Sequence, residues 1–189
     1  WLLMIIIMCG YVGYKITDVF SQYASDVMMY DQVDSAKVGT FLLYIRPVVG
    51  IAIGIIADRS RITLLLLLSF IIAFLGALLF ALGFIQESLT AVFFISIFIV
   101  AAGVYGIRSL YFAVMQRGRI PLVLTGTAVG LVSLMGYTPD IFAGPAYGYL
   151  LDNSPGIQGH QHVFWMLAIF SFIGGLAAWY YHKMYGSDD

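Results

Sequence analysis

Charge is scarce in this sequence. Only 10% of its 189 residues are Asp, Glu, Lys or Arg, against roughly 25% in a soluble domain, so the solvated outer face of a globular protein cannot be built from it. Cysteine is nearly absent too. The single Cys9 cannot close an internal disulfide and has no second thiol to help hold a metal. A net charge of -1 gives no attraction for nucleic acid. No G-x-x-x-x-G-K-[ST] stretch occurs, so there is no ATP site, and Ser133 lacks the G-x-S-x-G setting of a nucleophile. The histidines, His160, His162 and His182, fall in loops or at helix ends, and the HQH of 160–162 reads as a solvated loop rather than a metal site. No nucleophile–base pair is visible. The expectation is a protein that is not an enzyme and carries no cofactor or metal.

Apolar sequence fills the space that charge leaves. Hydrophobic residues make up 61% of the chain and the mean hydropathy is +0.95. Six long apolar segments follow one another: about Trp1–Ala24, Ala36–Ala57, Ile62–Phe84, Leu89–Met115, Leu122–Leu150 and Val163–Tyr181. At 1.5 Å of rise per residue, each is long enough to cross a hydrocarbon layer of ~30 Å as a helix. The ~10-residue alternating strands of a membrane barrel do not appear. The predicted fold is an all-α polytopic membrane protein with six transmembrane helices in a single domain over residues 1–189. The chain opens on WLLMIIIM, already apolar, with no initiator Met and none of the basic start of a signal peptide. It is therefore expected to be a fragment of a longer chain.

Loop charges orient the spans. Arg59 and Arg61 follow segment 2, Arg117 and Arg119 follow segment 4, and Lys183 follows segment 6. The opposite loops hold only Lys37. Because Lys and Arg concentrate on the cytoplasmic side, loops 2–3 and 4–5 and both ends are expected there. The segments also divide as three plus three, about 1–84 and 89–182. Segments 1 and 4 carry embedded charge (Lys15 and Asp18, then Arg108). Segments 2 and 5 carry charge beside proline (Arg46-Pro47, then Pro139-Asp140). An odd number of spans per unit inverts the second unit, the repeat pattern of many secondary transporters.

Lys15, Asp18, Arg46, Arg108 and Asp140 all lie within apolar segments. Each central charge costs roughly 2.5–3.5 kcal/mol on insertion scales. Unpaired, the set would therefore cost about as much as a typical protein's whole stability of roughly 5–15 kcal/mol. They must face the protein interior or a wet cavity, which makes segments 1, 2, 4 and 5 the polar wall and leaves segments 3 and 6 to the lipid. On segment 1, Tyr11, Tyr14, Lys15, Asp18 and Gln22 share one helical face. Lys15 and Asp18 there are either a self-neutralising i,i+3 pair or part of a substrate site. Arg46 sits mid-segment, before a proline that frees a backbone carbonyl. Arg108 lies about 10 Å of helix from Met115, so it either snorkels out or joins Tyr105 in the cavity. In segment 5, Gly126, Gly130, Ser133, Tyr137, Asp140 and Gly144 form a small and polar stripe. Tight helix packing accounts for its glycines. Asp140 is either a salt-bridge partner or a proton site.

Between segments 2 and 3 stands Gly54-x-x-x-Asp58-Arg59-x-Arg61. It resembles G-x-x-x-D-R-x-G-R, the cytoplasmic motif of the major facilitator superfamily, lacking only the glycine before the last basic residue. Gly144-Pro145-x-x-Gly148 is similar to the superfamily's antiporter motif G-P-x-x-G. The resemblance implies the C-terminal six-helix half of a twelve-helix symporter or antiporter, with the N-terminal half as its partner. It also implies a gating role for Gly54, Asp58, Arg59 and Arg61, with Asp58 capping a neighbouring helix N-terminus. Paired cavity cations are similar to those of the superfamily's anion transporters.

Together these features point to half of a secondary active transporter that moves a small polar, anionic solute by alternating access. Its bilayer would be a plasma membrane or a bacterial inner membrane. Tyr11, Tyr14, Lys15, Arg46, Tyr105, Arg108 and Tyr137 are the expected substrate-binding residues. Asp18 and Asp140 are expected to provide charge balance or proton coupling. The competing class is a non-transporting membrane subunit or receptor whose buried charges dock a partner helix.

Overall fold

A computed structural model describes residues 1–87, 89–118 and 121–186. Arg119, and the side chain of Arg117, both expected in a basic loop, lie outside the described residues. The described residues form eight α-helices, in order α1 (Leu2–Ile16), α2 (Val19–Asp26), α3 (Gln32–Ala57), α4 (Ile62–Ala81), α5 (Thr90–Leu110), α6 (Thr125–Gly136), α7 (Pro139–Asn153) and α8 (Ile157–Tyr185). No strand occurs among the described residues. The all-helical membrane architecture is as the composition requires.

Among the described residues, five helical stretches are long and apolar enough to cross a membrane: Leu2–Asp26, Gln32–Ala57, Ile62–Ala81, Thr90–Leu110 and Ile157–Tyr185. The first is bent. Thr17 turns its hydroxyl back onto the Tyr14 carbonyl at 2.7 Å, and the backbone N–H groups of Thr17 and Asp18 reach only three residues back. Such back-bonding by Thr competes with the helical ladder and bends it. The fifth apolar segment departs from the sequence expectation of one long helix. It forms α6 and α7, of 12 and 15 residues, or about 18 and 22 Å, each short of the ~30 Å hydrocarbon layer. Pro139 lacks an N–H to continue the ladder, so α6 stops at Gly136 and α7 restarts with the proline in its first turn. Segment 4 is also shorter than expected. Its α-helix ends at Leu110, and tighter 3-10 turns cover Ala113–Gly118.

Local chemistry sets the other ends. Asp31 caps α3, its carboxylate accepting from the Asp34 N–H at 2.7 Å. Pro47 stands inside α3 without interrupting it. α4 closes on Gly83, whose φ of +73° is the left-handed conformation that glycine adopts most cheaply.

α4 pairs most extensively with α8 and then with α5, and α1 packs against α5, α6, α7 and α8. A Cβ on Gly103 would stand 2.5 Å from the Ala73 backbone nitrogen, so glycine is what lets α4 and α5 approach. At one end, Phe20, Tyr23, Phe80, Phe93 and Phe164 form a buried aromatic cluster, with Phe80 and Phe164 stacked 4.6 Å apart. Tyr23 ties the cluster to the chain by donating its hydroxyl to the Ile85 carbonyl.

Burial separates the long helices. α4 and α8 pack on each other and keep open apolar outer faces, as expected of lipid-facing helices, while the most open of the five span-length stretches is α3. Only 11% of its most apolar stretch is buried, against 61% for Leu2–Asp26. Among the described residues, α3 has no substantial neighbour beyond α2 and α5. The glycine stripe also departs from expectation, because Cβ atoms on Gly126, Gly130 and Gly148 would meet nothing within 4 Å. That face of α6 and α7 packs on nothing among the described residues.

Candidate functional site

α1 carries the site because its polar residues fall on one face at the centre of the bundle. Tyr14 is the hub. Arg46 of α3 donates from Nη1 to the Tyr14 hydroxyl at 2.6 Å, and its guanidinium carbon lies 4.7 Å from the ring centre. Arg108 of α5 approaches the same ring at 4.1 Å and the Tyr11 ring at 5.3 Å. Its Nη1 donates to the Tyr111 hydroxyl at 3.2 Å. Arg108 therefore turns into the bundle rather than snorkelling to the membrane surface. Both cations rest on the negative face of an aromatic ring.

Neither arginine has a carboxylate within ion-pair distance among the described residues. Their shared ring holds the two guanidinium carbons within about 9 Å, where like charges repel by at least about 2 kcal/mol at an effective dielectric of about 20. An anion between them adds two attractions that outweigh that repulsion.

The remaining charges settle differently from local spacing. Lys15 does not pair with Asp18 one turn on. Its Nζ lies 3.3 Å from Asp140 Oδ1, and the Tyr11 hydroxyl donates to Asp140 Oδ2 at 2.9 Å. The carboxylate just past the Pro139 break is thus held to α1 by a cation and a hydroxyl. The pair stays half open, with 27% of the lysine and 48% of the aspartate side chain exposed. Asp18 is exposed at the bend between α1 and α2, with Lys15 and Arg46 as its neighbouring cations. Tyr105 is buried beside Tyr14, with ring centres 6.5 Å apart. Tyr137 is half exposed, its ring edge-on to Tyr11 at 5.0 Å.

Two cavities open on this wall. One of about 270 Å³ includes Arg46, Tyr105, Arg108 and Ser109. The other, of about 240 Å³, includes Tyr14, Thr17, Asp18, Arg46 and Tyr105. Every expected substrate-binding residue except Lys15, which holds Asp140 instead, thus meets another of the set, and Thr17, Ser109 and Tyr111 join them. A position one helical turn from a predicted polar residue was the only signal for those three.

The motif residues Gly54, Asp58, Arg59 and Arg61 stand apart, lining a cavity of about 650 Å³ with Ser109 and Ala113. Asp58, Arg59 and Arg61 are exposed, and among the described residues Asp58 caps no helix N-terminus but closes the C-terminal end of α3. Sequence reasoning also missed His160. It is fully buried at the start of α8, where Nε2 lies 3.0 Å from Asp26 Oδ2 and the ring packs against Tyr23. The solvated-loop reading of 160–162 fails because α8 starts at Ile157, six residues before the apolar run. No group of three or more His, Cys, Asp or Glu suited to a metal occurs among the described residues.

Two Escherichia coli K12 proteins are similar to part of this chain. Inner membrane protein YihN is 39% identical over 71 residues, 38% of this chain and 17% of its own length. Inner membrane protein YqcE is 32% identical over 65 residues, 34% of this chain and 15% of its own length. The matched stretches span under a fifth of either relative, each of which is more than twice as long as this chain. No family model and no solved structure matches. The likeness and the apolar helices together make this a membrane protein, related in part to inner membrane proteins.

Proposed function

We propose that the chain is one six-crossing half of a secondary active transporter for a small anionic solute, working by alternating access. The observation that carries this is the convergence of Arg46 and Arg108 on one tyrosine with no carboxylate partner among the described residues. Buried unpaired cations are costly in a bilayer and are kept where a solute or ion passes. Guanidinium forks match the oxygens of an acid group.

In this reading α6 and α7 together make the sixth crossing. Helices α1 to α4 and α5 to α8 are then two inverted three-span units meeting at a midplane site. Broken helices at such a site are what a transporter of this architecture uses. The bends at Thr17–Asp18 and at Pro139 both lie beside the charge cluster, which supports the reading. The open faces of α3 and α6 fit a homologous N-terminal half of the same protein, so that the solute is enclosed between the halves. Resemblance to the major facilitator superfamily assigns Gly54, Asp58, Arg59 and Arg61 to a cytoplasmic gate. Asp140 and Asp18 are the groups for charge balance or proton coupling. The protein is not an enzyme in this proposal, because the cluster offers cations and hydroxyls but no nucleophile with a base.

The test is uptake of labelled organic anions into proteoliposomes holding the full-length protein. Saturable uptake is expected, lost by tenfold or more in Arg46→Lys, which keeps the charge but not the planar fork. Absence of uptake for every anion, with the protein folded, rejects transport in favour of a docking subunit.

A further inference from the structure

Two cavities on the arginine wall share Arg46 and Tyr105 but differ in chemistry. The Arg108 side offers two guanidinium groups and the Ser109 hydroxyl. The Asp18 side offers an exposed carboxylate and the Thr17 and Tyr14 side chains. Each is about 240–270 Å³, near the lower end of small-molecule sites, roughly 300–1,000 Å³. Arg46 stands between them. A ligand spanning both would present an acid group at one end and hydrogen-bond donors at the other.

Charge on this half of the cavity favours a singly charged acid. The embedded cations are Lys15, Arg46 and Arg108, and the embedded anions are Asp18 and Asp140, which leaves this wall at +1 when all are ionised. One negative charge brings the wall to neutrality. A dianion such as a phosphate monoester overshoots, and a zwitterion leaves the excess in place.

Asp18 decides what the rest of the ligand offers. It accepts no hydrogen bond from the described residues, and an ionised carboxylate can only accept. An incoming ammonium would satisfy it, but Lys15 and Arg46 already place cations beside Asp18, so a third is repelled. Neutral hydroxyls are not. The ring of Tyr105, which lines both cavities, gives an apolar face for the carbon skeleton.

We infer that the solute is a hydroxylated organic monoanion, its acid group held between Arg46 and Arg108 and its hydroxyls donated to Asp18. This rests on the anion-transport reading above and narrows it to one class.

The experiment is calorimetric binding to the full-length protein in nanodiscs at neutral pH. The probes are gluconate, propionate, glucose, glucose 6-phosphate and serine. Gluconate is expected to bind at least tenfold more tightly than each of the others. In Asp18→Asn the wall rises to +2 and loses its pure acceptor. Preference for gluconate over glucose 6-phosphate is then expected to fall at least tenfold, within the same folded protein. Tighter binding of glucose 6-phosphate or serine by the wild type overturns the inference, as does an unchanged ratio in Asp18→Asn. Equal binding of propionate and gluconate overturns it while leaving the anion reading standing. If no anion binds, both fall together.

Discussion

Asp140 shows how one residue's partners set its role. It holds Lys15 and the Tyr11 hydroxyl at the same time, so removing it strands a cation and a hydroxyl in a half-open wall. A hydrogen bond to a charged group is worth roughly 1.5–3 kcal/mol, and stranding its partner costs more than deleting both. Asp140→Ala alone should therefore lower the thermal midpoint of the purified protein more than Lys15→Met with Asp140→Leu together. A double-mutant cycle on melting temperatures checks this, and additive effects would mean that the pair is not coupled. His160 belongs to the same scale. Its fully buried ring bridges to Asp26 and packs on Tyr23, so His160→Ala should cost several degrees while half-buried His162→Ala costs little. Equal melting shifts for the two would count against the buried bridge.

At the scale of helices, run length was legible and breaks were not. Five of the six apolar segments hold a helix long enough to span, because a chain with so little charge has few other ways to satisfy its backbone. Proline could not say where helices stop. Pro47 and Pro145 both sit inside helices, whereas Pro139 begins one. The difference lies in neighbours: Thr138 and Tyr137 take tight three-residue bonds around the break. The site shows the same division. Tyr11, Tyr14 and Lys15 share a face by spacing alone, so their clustering could be read from the sequence. That Lys15 chooses Asp140 over Asp18 is a contact across 125 positions, which no local spacing encodes. His160 was hidden for the same reason, since Asp26 is 134 positions away. Glycines divide by their surroundings too. Gly103→Val drives a side chain into the Ala73 backbone and should abolish folded yield, whereas Gly130→Val enters open space and should leave it intact. Size-exclusion yield of the two variants in the 189-residue chain checks this. Comparable losses would show that the α6 face is already packed.

For the molecule as a whole, charge asymmetry and exposed apolar faces give complementary constraints. Arg59 and Arg61 lie at the end of the bundle opposite the Asp26–His160 bridge, since α3 (Gln32–Ala57) runs between them. The open apolar side of α3, with Leu43, Tyr44, Val48 and Ile51 all exposed, suits lipid or a second six-helix unit equally in polarity. Only the arginine wall beside it requires an aqueous path, which is why the proposal places a partner half there. The proposed orientation puts the Arg59 end in the cytoplasm on the strength of five Lys or Arg against one. Single cysteines test it directly. Ser60 and Gln32 are both exposed, at opposite ends of α3, and the native Cys9 is buried, so background labelling is low. Ser35, in the same loop region as Gln32, is buried and bonded to the Tyr30 carbonyl, and is a poor reporter. A membrane-impermeant maleimide added to intact cells should therefore modify Gln32→Cys and spare Ser60→Cys until the membrane is permeabilised. The reverse pattern would invert the molecule, move the arginine-bearing loop outside and remove the basis for a cytoplasmic gate. Labelling of both from outside would mean that α3 does not cross the bilayer, leaving Arg46 and its tyrosine without a membrane-embedded site.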